Sequence, residues 1–525
     1  MQVERPLGLL EKFQTSKYFV NCYGAATFTA LLRHPPRPPM TTDQQINKND
    51  AIKRFYLNHL HTPLSHLVKK HPQLSLVIAH WKHPTIHFTR LAEFDLSAIL
   101  HVDTSNTPFW DRVTLAEIIA NECDHDFDFD NHTIPLWYLR IYVHDDRLDE
   151  CSMTLTVNHV VMDGASVATF WRELYAELNR NSRNNSKIQI KEDTNQTNSA
   201  ENDYTFRPNL EKPLLGPYED RHGPMPSQWE VMQLIMRKTI KSILPISLAQ
   251  YWFPTIGWAD DIRGVTDKTL ARHHTQTRTI EINGTQWHNV CITSKLHGVT
   301  PHAAIMAAII TAFSKLYGDQ ENKVVTHTPI NCRSFCKEPP VPQDEMGNFV
   351  GNYAHTWEPY YITLNNNDYG DNNKRLSLFW DKAKHYYENL KINKLQGARD
   401  PGKWLAVPRF PEDYIQIWYN NWNANSMARS GGIQLSDLGR FVVSDDKSQK
   451  ELYNDNATIK SNPWEIQSIW FSQSSQMMTM ALSVTSISTK DSMYATVTWQ
   501  KGALDESKIE QFGPLVIDAL ETSYQ

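Results

Sequence analysis

A histidine separates a strand-like run from a helix-like run in the segment "TLTVNHVVMDGASVATFWREL", Thr154–Leu174. The residues before it alternate between apolar and polar side chains, which is typical of a half-buried strand. The residues after it, from about Ser166 to Asn179, repeat apolar side chains at helical spacing. We therefore predict a strand, a tight turn and a helix, with His159 in the turn.

The side chains of this turn can support proton transfer. A histidine has an unperturbed pKa of about 6.5, so His159 can accept and return a proton near neutral pH. Asp163 follows four residues later, and Gly164 leaves room for another group to approach or permits a positive φ. The spacing alone also fits a core histidine followed by an aspartate that caps a helix, so both interpretations stay open at this point.

Several segments in addition to this motif match a known pattern. "NHVVMDG", residues 158–164, resembles the signature of the acyltransferase superfamily related to chloramphenicol acetyltransferase. Further segments resemble that superfamily in the same order along the chain: "HPQLSLVI" (His71–Ile78), "PINCRSF" (Pro329–Phe335), "GNFVGNY" (Gly347–Tyr353), "IQLSDLGRF" (Ile433–Phe441) and "WFSQSSQMMTMALSV" (Trp470–Val484). The chain is more closely similar to the fungal alcohol acetyltransferase family within it.

The resemblance implies an α/β (α+β) fold of two lobes, each with a mixed sheet and packed helices, and a channel between the lobes. The segment Asn179–Tyr204 is rich in Asn and Ser, and it has too few apolar residues to fold alone. We therefore predict an N-terminal lobe over residues 1–180, a polar linker over 181–206 and a C-terminal lobe over 207–525.

The resemblance also implies a reaction, the transfer of an acetyl group from acetyl-CoA to an alcohol with an acetate ester as product. His159 would be the general base that accepts the proton of the acceptor hydroxyl. Asp163 would be structural: it would pair with Arg333 from "NCRSF" and, together with Gly164, fix the turn. An amine acceptor on the same fold is an alternative.

Candidate contacts to CoA lie in two other segments. Ser472 and Ser474 belong to the late strand that the resemblance places along the channel, and Lys403 in "GARDPGKW" is a candidate for binding the phosphates. Asp437 stands where the family usually has Asn, so no hydrogen-bond role is carried over to it. No metal ion is expected.

Two other kinds of enzyme are compatible with single features of the chain. Gly164–Ala168 is one glycine short of a G-x-S-x-G nucleophile elbow, so a serine esterase that uses Ser166 is an alternative from another class. A group of histidines could bind a metal, although its spacing matches no standard zinc motif such as H-E-x-x-H. These histidines are His59, His61, His66 and His71.

Composition and charge narrow the choice of partners and compartment. The net charge is −6 and no basic block occurs, which argues against a nucleic-acid partner. The N-terminus lacks the pattern of a secretion signal and the six cysteines are scattered, which indicates reduced thiols in the cytoplasm. No apolar run reaches the ~18 residues of a membrane span. The nearest candidate, Ile243–Trp258, is interrupted by two prolines and leaves peripheral contact with a membrane or lipid droplet open.

Overall fold

A computed structural model of the chain describes residues 1–37, 48–188, 203–245, 248, 257–259, 261, 272–321, 323–362, 372–424, 429, 431–443 and 463–524. Most of the predicted linker and most of the apolar run Ile243–Trp258 lie outside the described residues.

The described residues form helices and strands in irregular alternation. The helices are α1 (Leu9–Phe19), α2 (Lys48–Lys70), α3 (Leu96–Ile99), α4 (Arg112–Cys123), α5 (Gly164–Ile188), α6 (Gln228–Ile243), α7 (Gly284–Leu296), α8 (Pro301–Tyr317), α9 (Pro359–Ile362), α10 (Asn372–Ala398), α11 (Glu412–Ala424) and α12 (Glu506–Thr522). The strands are β1 (Gln2–Pro6), β2 (Ala26–Arg33), β3 (Leu76–Ala79), β4 (His87–Arg90), β5 (Phe94–Asp95), β6 (Leu100–Asp103), β7 (Trp137–His144), β8 (Arg147–Val157), β9 (Thr205–Phe206), β10 (Thr275–Asn283), β11 (Val324–Asn331), β12 (Val350–Trp357), β13 (Gly431–Arg440), β14 (Glu465–Gln473), β15 (Met480–Ser488) and β16 (Ser492–Gln500).

Two mixed sheets form the frame of the molecule. One has five strands in the order β14-β2-β8-β7-β6, and the other has six in the order β10-β16-β15-β13-β11-β12. β6 pairs parallel with β7, and β13 pairs parallel with β11 and β15, whereas the other pairs in these sheets are antiparallel. Two smaller sheets, β1-β4-β3 and β5-β9, are also present. The predicted α/β class with mixed sheets and packed helices is confirmed.

Each large sheet contributes to its own apolar core. The first core combines the five-stranded sheet with α2 and α5, and it includes the fully buried rings of Phe28, Trp137 and Trp171. The second core surrounds α8, which is buried on nearly all sides, as its apolar sequence predicts. Two separate cores agree with the prediction of two lobes.

Strand β14 links the two sheets although it lies late in the chain. It pairs antiparallel with β2 at the edge of the five-stranded sheet. The carbonyl oxygen of Phe471 in β14 accepts hydrogen bonds from the hydroxyls of Thr485 (2.6 Å) and Thr496 (3.0 Å), which belong to the six-stranded sheet. The first lobe thus includes a strand from the second half of the chain, and the predicted boundary at residues 181–206 stays a prediction.

Two helices extend beyond the sequence-based expectations. α5 continues to Ile188, whereas the apolar pattern ends near Asn179. α6 was not anticipated, although its start carries a capping box in which Ser227 and Glu230 bond reciprocally to each other's backbone N–H. Among the described residues, no single helix is long and apolar enough to cross a membrane; α7 and α8 meet that test only together, and they bend by 105°.

Candidate active site

The backbone of His159 is fixed by side chains on both sides of the turn between β8 and α5. The amide oxygen of Asn158 accepts a hydrogen bond from the backbone N–H of Val160 (3.0 Å). The amide nitrogen of Asn348 donates to the carbonyl oxygen of His159 (2.8 Å). Asn348 belongs to the segment between β11 and β12, so the six-stranded sheet helps to hold the turn of the other lobe.

Gly164 is needed for close packing at the start of α5. It is not among the residues with a positive φ, so its backbone does not itself require glycine. A Cβ atom at this position would lie 2.8 Å from Cδ2 of Leu438 and 3.2 Å from Cζ of Phe471. Of the two explanations that the sequence offered for this glycine, the structure supports room for an approaching group.

The imidazole of His159 is partly exposed, and its two nitrogens differ in environment. Nδ1 is buried and has no hydrogen-bond partner, so Nε2 is the nitrogen open to a substrate. Burial, followed by the positive charge of Lys17, lowers the pKa of His159 to about 4, against a smaller opposing effect of Asp163. The ring is therefore neutral at pH 7, which is the form that a general base requires.

Asp163 points into the protein, where its carboxylate accepts hydrogen bonds at both oxygens. Arg333 donates from Nη1 to Oδ2 (2.8 Å) and from Nη2 to Oδ1 (2.9 Å). The backbone N–H of Phe349 donates to Oδ2 (3.0 Å) and that of Ser166 to Oδ1 (2.9 Å). Burial alone would raise the pKa of Asp163, but Arg333 and these donors together lower it. The carboxylate is thus ionised and fully occupied, and it also caps α5.

Arg333 forms the pair with Asp163 that the resemblance implied. Its side chain has no exposed surface, and that of Asp163 is 1% exposed. The third donor of the guanidinium, Nε, bonds to the carbonyl oxygen of Glu345 (2.9 Å). The pair therefore ties the start of α5 to the segment after β11.

Ser166 is not placed as a nucleophile. It is completely buried, and its hydroxyl accepts hydrogen bonds from Nη2 of Arg333 (2.9 Å) and from the backbone of Gly347 (3.0 Å). The oxygen also lies 2.8 Å from Oδ1 of Asp163, to which it can donate. A hydroxyl engaged on all sides cannot reach a substrate carbonyl, so the geometry does not support the serine esterase.

Ser472 and Ser474 are both fully buried beside the five-stranded sheet. Oγ of Ser472 accepts from Oγ1 of Thr496 (3.1 Å), and Oγ of Ser474 accepts from the backbone of Gly24 (3.0 Å). These contacts are internal, and the role of both residues in binding CoA stays a prediction.

Lys403 lies at the surface, on the rim of a polar cavity of about 770 Å³. Its ammonium bonds to both carboxylate oxygens of Asp400 at 3.0 Å. Arg237 and Arg399 line the same cavity, as do Glu230 and the edge of β12.

The carboxylate of Asp437 is surrounded by hydrogen-bond donors. It accepts hydrogen bonds from the hydroxyl of Ser486 (2.9 Å) and the backbone of Gly439 (3.0 Å), and it lies 3.1 Å from Nδ1 of His302. Burial would raise the pKa of Asp437, but His302 and the other donors lower it. An ionised carboxylate is thus accommodated where the family usually has an amide.

The histidines of α2, with His71 directly after it, do not assemble a metal site in the part of the chain that the structure describes. His66 bonds to Glu177 and His71 to Glu173, each through a different ring nitrogen. In the described part of the chain, no group of three or more His, Cys, Asp or Glu side chains could hold a metal ion.

Two residues close to His159 had no recognisable signal in the sequence. Lys17, in the last turn of α1, is 5% exposed, and its ammonium lies 4.4 Å from the centre of the Tyr23 ring. The Tyr23 ring in turn lies 6.2 Å from the His159 ring, measured between centroids. Burial lowers the pKa of Lys17 to about 8.

Comparisons with known proteins agree with this geometry. A family model described as alcohol acetyltransferase matches residues 112–512. No curated protein matches the chain. Among solved structures, the chain is similar to TRI3 trichothecene 15-O-acetyltransferase from Fusarium sporotrichioides, with 12% identity, a TM-score of 0.62 and coverage of 99% of this chain and 95% of that one.

Two further solved structures share the fold over their whole length. One is the epimerization domain from the third module of tyrocidine synthetase B, with 12% identity, a TM-score of 0.56 and coverage of 100% and 96%. The other is polyketide synthase associated protein 5 from Mycobacterium tuberculosis, with 14% identity, a TM-score of 0.53 and coverage of 99% and 98%.

Proposed function

Because the chain belongs to the alcohol acetyltransferase family, we propose that it transfers an acetyl group from acetyl-CoA to the hydroxyl of an alcohol. The observation that carries this proposal is the neutral imidazole of His159, whose Nε2 is open while its backbone is fixed. A base in this state can take a proton from an acceptor without first losing one.

The proposed reaction proceeds in two steps around Nε2 of His159. The acceptor hydroxyl gives its proton to Nε2 as its oxygen attacks the thioester carbonyl, and the carbonyl oxygen takes up the negative charge. The tetrahedral intermediate then expels the CoA thiolate, which recovers the proton from His159. Acid and base catalysis of this kind contributes roughly 10²–10⁴-fold. Neither step requires a covalent acyl-enzyme.

Asp163 takes no part in proton transfer in this scheme. Its five donors leave it no free lone pair toward the reacting atoms, and its lowered pKa keeps it ionised. Its contribution is to hold the end of the turn, so that His159 stays in place as the substrates approach.

An amine acceptor would use the same base, His159. An assay with both kinds of acceptor therefore decides between alcohols and amines. Purified enzyme is supplied with acetyl-CoA and a panel of matched alcohols and amines, and thiol release and product are measured together. We expect ester formation with alcohols and its loss in His159→Ala. Amide formation alone would support the amine alternative, and ester hydrolysis without CoA release would contradict acetyl transfer.

The polar cavity beside Lys403 is our candidate for the nucleotide end of CoA. Arg237, Arg399 and Lys403 line it together with the carboxylates of Glu230 and Asp400. Lys403→Ala should raise the KM for acetyl-CoA and leave kcat nearly unchanged, because the phosphates take no part in the bonds that form and break. An unchanged KM would place the phosphates elsewhere.

The apolar face of α6 supports peripheral contact between a cytoplasmic enzyme and a lipid surface. Helices with one broad apolar face lie in the interface of a bilayer, with that face in the acyl boundary. Large apolar side chains are exposed along α6: Trp229, Met232, Leu234, Ile235, Met236, Ile240 and Ile243.

Flotation with vesicles of phosphatidylcholine and phosphatidylserine tests this contact. The triple change Trp229→Gln, Met236→Gln, Ile240→Gln should abolish co-flotation while acetyl transfer in solution persists. Exposed apolar residues of α10 provide the matched control, since Ile392→Gln with Leu395→Gln should have no effect. Equal flotation of all variants would exclude α6 as the contact.

A further inference from the structure

Lys17 is a buried cation that the proposed reaction, on which this inference rests, does not use. Within the described part of the chain, its ammonium has no hydrogen-bond or ion-pair partner. An ammonium removed from water is costly unless another group replaces its hydration. The faces of Phe13 and Tyr23, with centres at 5.0 and 4.4 Å, supply part of that replacement.

The groups whose charges act on Lys17 do not neutralise it. They are Cys22, whose own pKa burial raises to about 12, and Lys403, which repels it. A lysine with a pKa of about 8 is still mostly protonated at pH 7. A positive charge without a carboxylate partner therefore lies one aromatic ring away from His159.

Tyr23 supplies a second unused polar group next to this charge. The residue is 1% exposed, and its hydroxyl is buried without a hydrogen-bond partner. Buried hydroxyls are normally hydrogen-bonded, and this one belongs to the ring whose centre lies 4.4 Å from the Lys17 ammonium. An ammonium and a phenol O–H together are suitable donors for one carboxylate.

We propose that Lys17 and Tyr23 form a subsite for a carboxylate on the acyl acceptor, so that hydroxy acids are better acceptors than neutral alcohols. The ammonium donates to one carboxylate oxygen and the phenol to the other, and the hydroxyl of the acceptor faces His159.

Matched pairs of acceptors test the subsite. A series of ω-hydroxy acids is compared with the methyl esters of the same acids, and kcat/KM is measured by thiol release from acetyl-CoA. We expect the wild-type enzyme to prefer the acids by about tenfold or more, as for a charged hydrogen-bonded group. Lys17→Met should remove this preference for acids over esters, and Tyr23→Phe should reduce it in part.

Lys382 offers the matched control for the loss of a buried lysine. It is 1% exposed, its pKa is lowered by burial to about 8, and it bonds to Thr311 in the helix pair α8 and α10. Lys382→Met should therefore leave the preference for acids unchanged. Lys17→Gln provides a second neutral variant should Lys17→Met fold poorly.

The pH profile separates a binding site from a merely structural lysine. Lys17 and Asp163 are the charges that act on His159. Removing the positive charge should move the low-pH limb of kcat/KM for the esters to higher pH. Wild-type enzyme that acetylates esters as well as acids would overturn the subsite and leave the proposed function intact. Enzyme that releases no CoA with any acceptor would overturn the proposed function itself.

Discussion

Breaking the buried pair between Asp163 and Arg333 should reduce stability strongly, and the two losses should not add. The variants are Asp163→Ala, Arg333→Ala and the double variant. In Asp163→Ala the guanidinium loses the carboxylate that pairs with it while it has no exposed surface. In Arg333→Ala the carboxylate keeps only the N–H groups of Phe349 and Ser166 and the hydroxyl of Ser166.

The magnitudes follow from which groups are left unpaired. Removing one partner of a buried ion pair costs about 3–5 kcal/mol, so the two single losses sum to about 6–10 kcal/mol. The double variant leaves no stranded charge. It loses the cap of α5, at about 1 kcal/mol, and leaves the N–H of Phe349 unpaired, at about 1–3 kcal/mol. The coupling energy should therefore reach at least about 2 kcal/mol.

The assay is urea unfolding followed by tryptophan fluorescence, with free energies from midpoints and a shared slope. The exposed pair Arg409–Asp413, at 2.8 Å and four residues apart on the surface, serves as control, and its coupling should be about 0.3–0.5 kcal/mol. Additive losses for Asp163 and Arg333 would refute the reasoning, because they would mean that neither charge depends on the other.

Three further predictions concern the turn itself. His159→Ala should lower kcat by roughly 10²–10⁴-fold with an unchanged melting temperature, and an equal loss of stability would point to a structural histidine. The low-pH limb of kcat/KM should lie near pH 4, since activity is lost as the neutral imidazole of His159 gains a proton; a limb near the unperturbed pKa would contradict the environment described for the ring. Gly164→Ala should lower the melting temperature, because its Cβ would lie 2.8 Å from Leu438, and Leu438→Ala should partly restore it.

The local elements could be predicted from the sequence because their signals are local. α8 begins after Thr300, whose side chain accepts from the backbone of Ala303, and it ends before Gly318, as the pattern of cap, proline and glycine indicates. β7 and β8 follow the alternation of apolar residues. The strand, turn and helix around His159 are likewise indicated by residues within a few positions of one another, although Asn348 and Arg333, which also hold the turn, are distant in the sequence.

The pairing of distant segments could not be predicted from periodicity. β14 pairs with β2, and neither strand's sequence indicates which strand will be its partner. Lys17 was missed for the same reason. From the sequence, a lysine in an N-terminal helix is expected to be exposed to solvent, and only the packing of α1 against Tyr23 reveals its burial. The pairing of Asp163 with Arg333 was anticipated only because the resemblance connected two distant motifs.

The environment of His159 combines two properties that oppose each other. The first property is an Nε2 that is free to exchange a proton. The ring is held through the hydrogen bond to its backbone carbonyl, since Nδ1 is buried without a hydrogen-bond partner. Burial, followed by the charge of Lys17, lowers the pKa of His159 to about 4, whereas a base is most effective when its pKa lies near the working pH. In the subsite proposed above, a carboxylate bound at Lys17 would offset this repulsion and raise the pKa of His159 in part, because burial remains the larger cause of the shift.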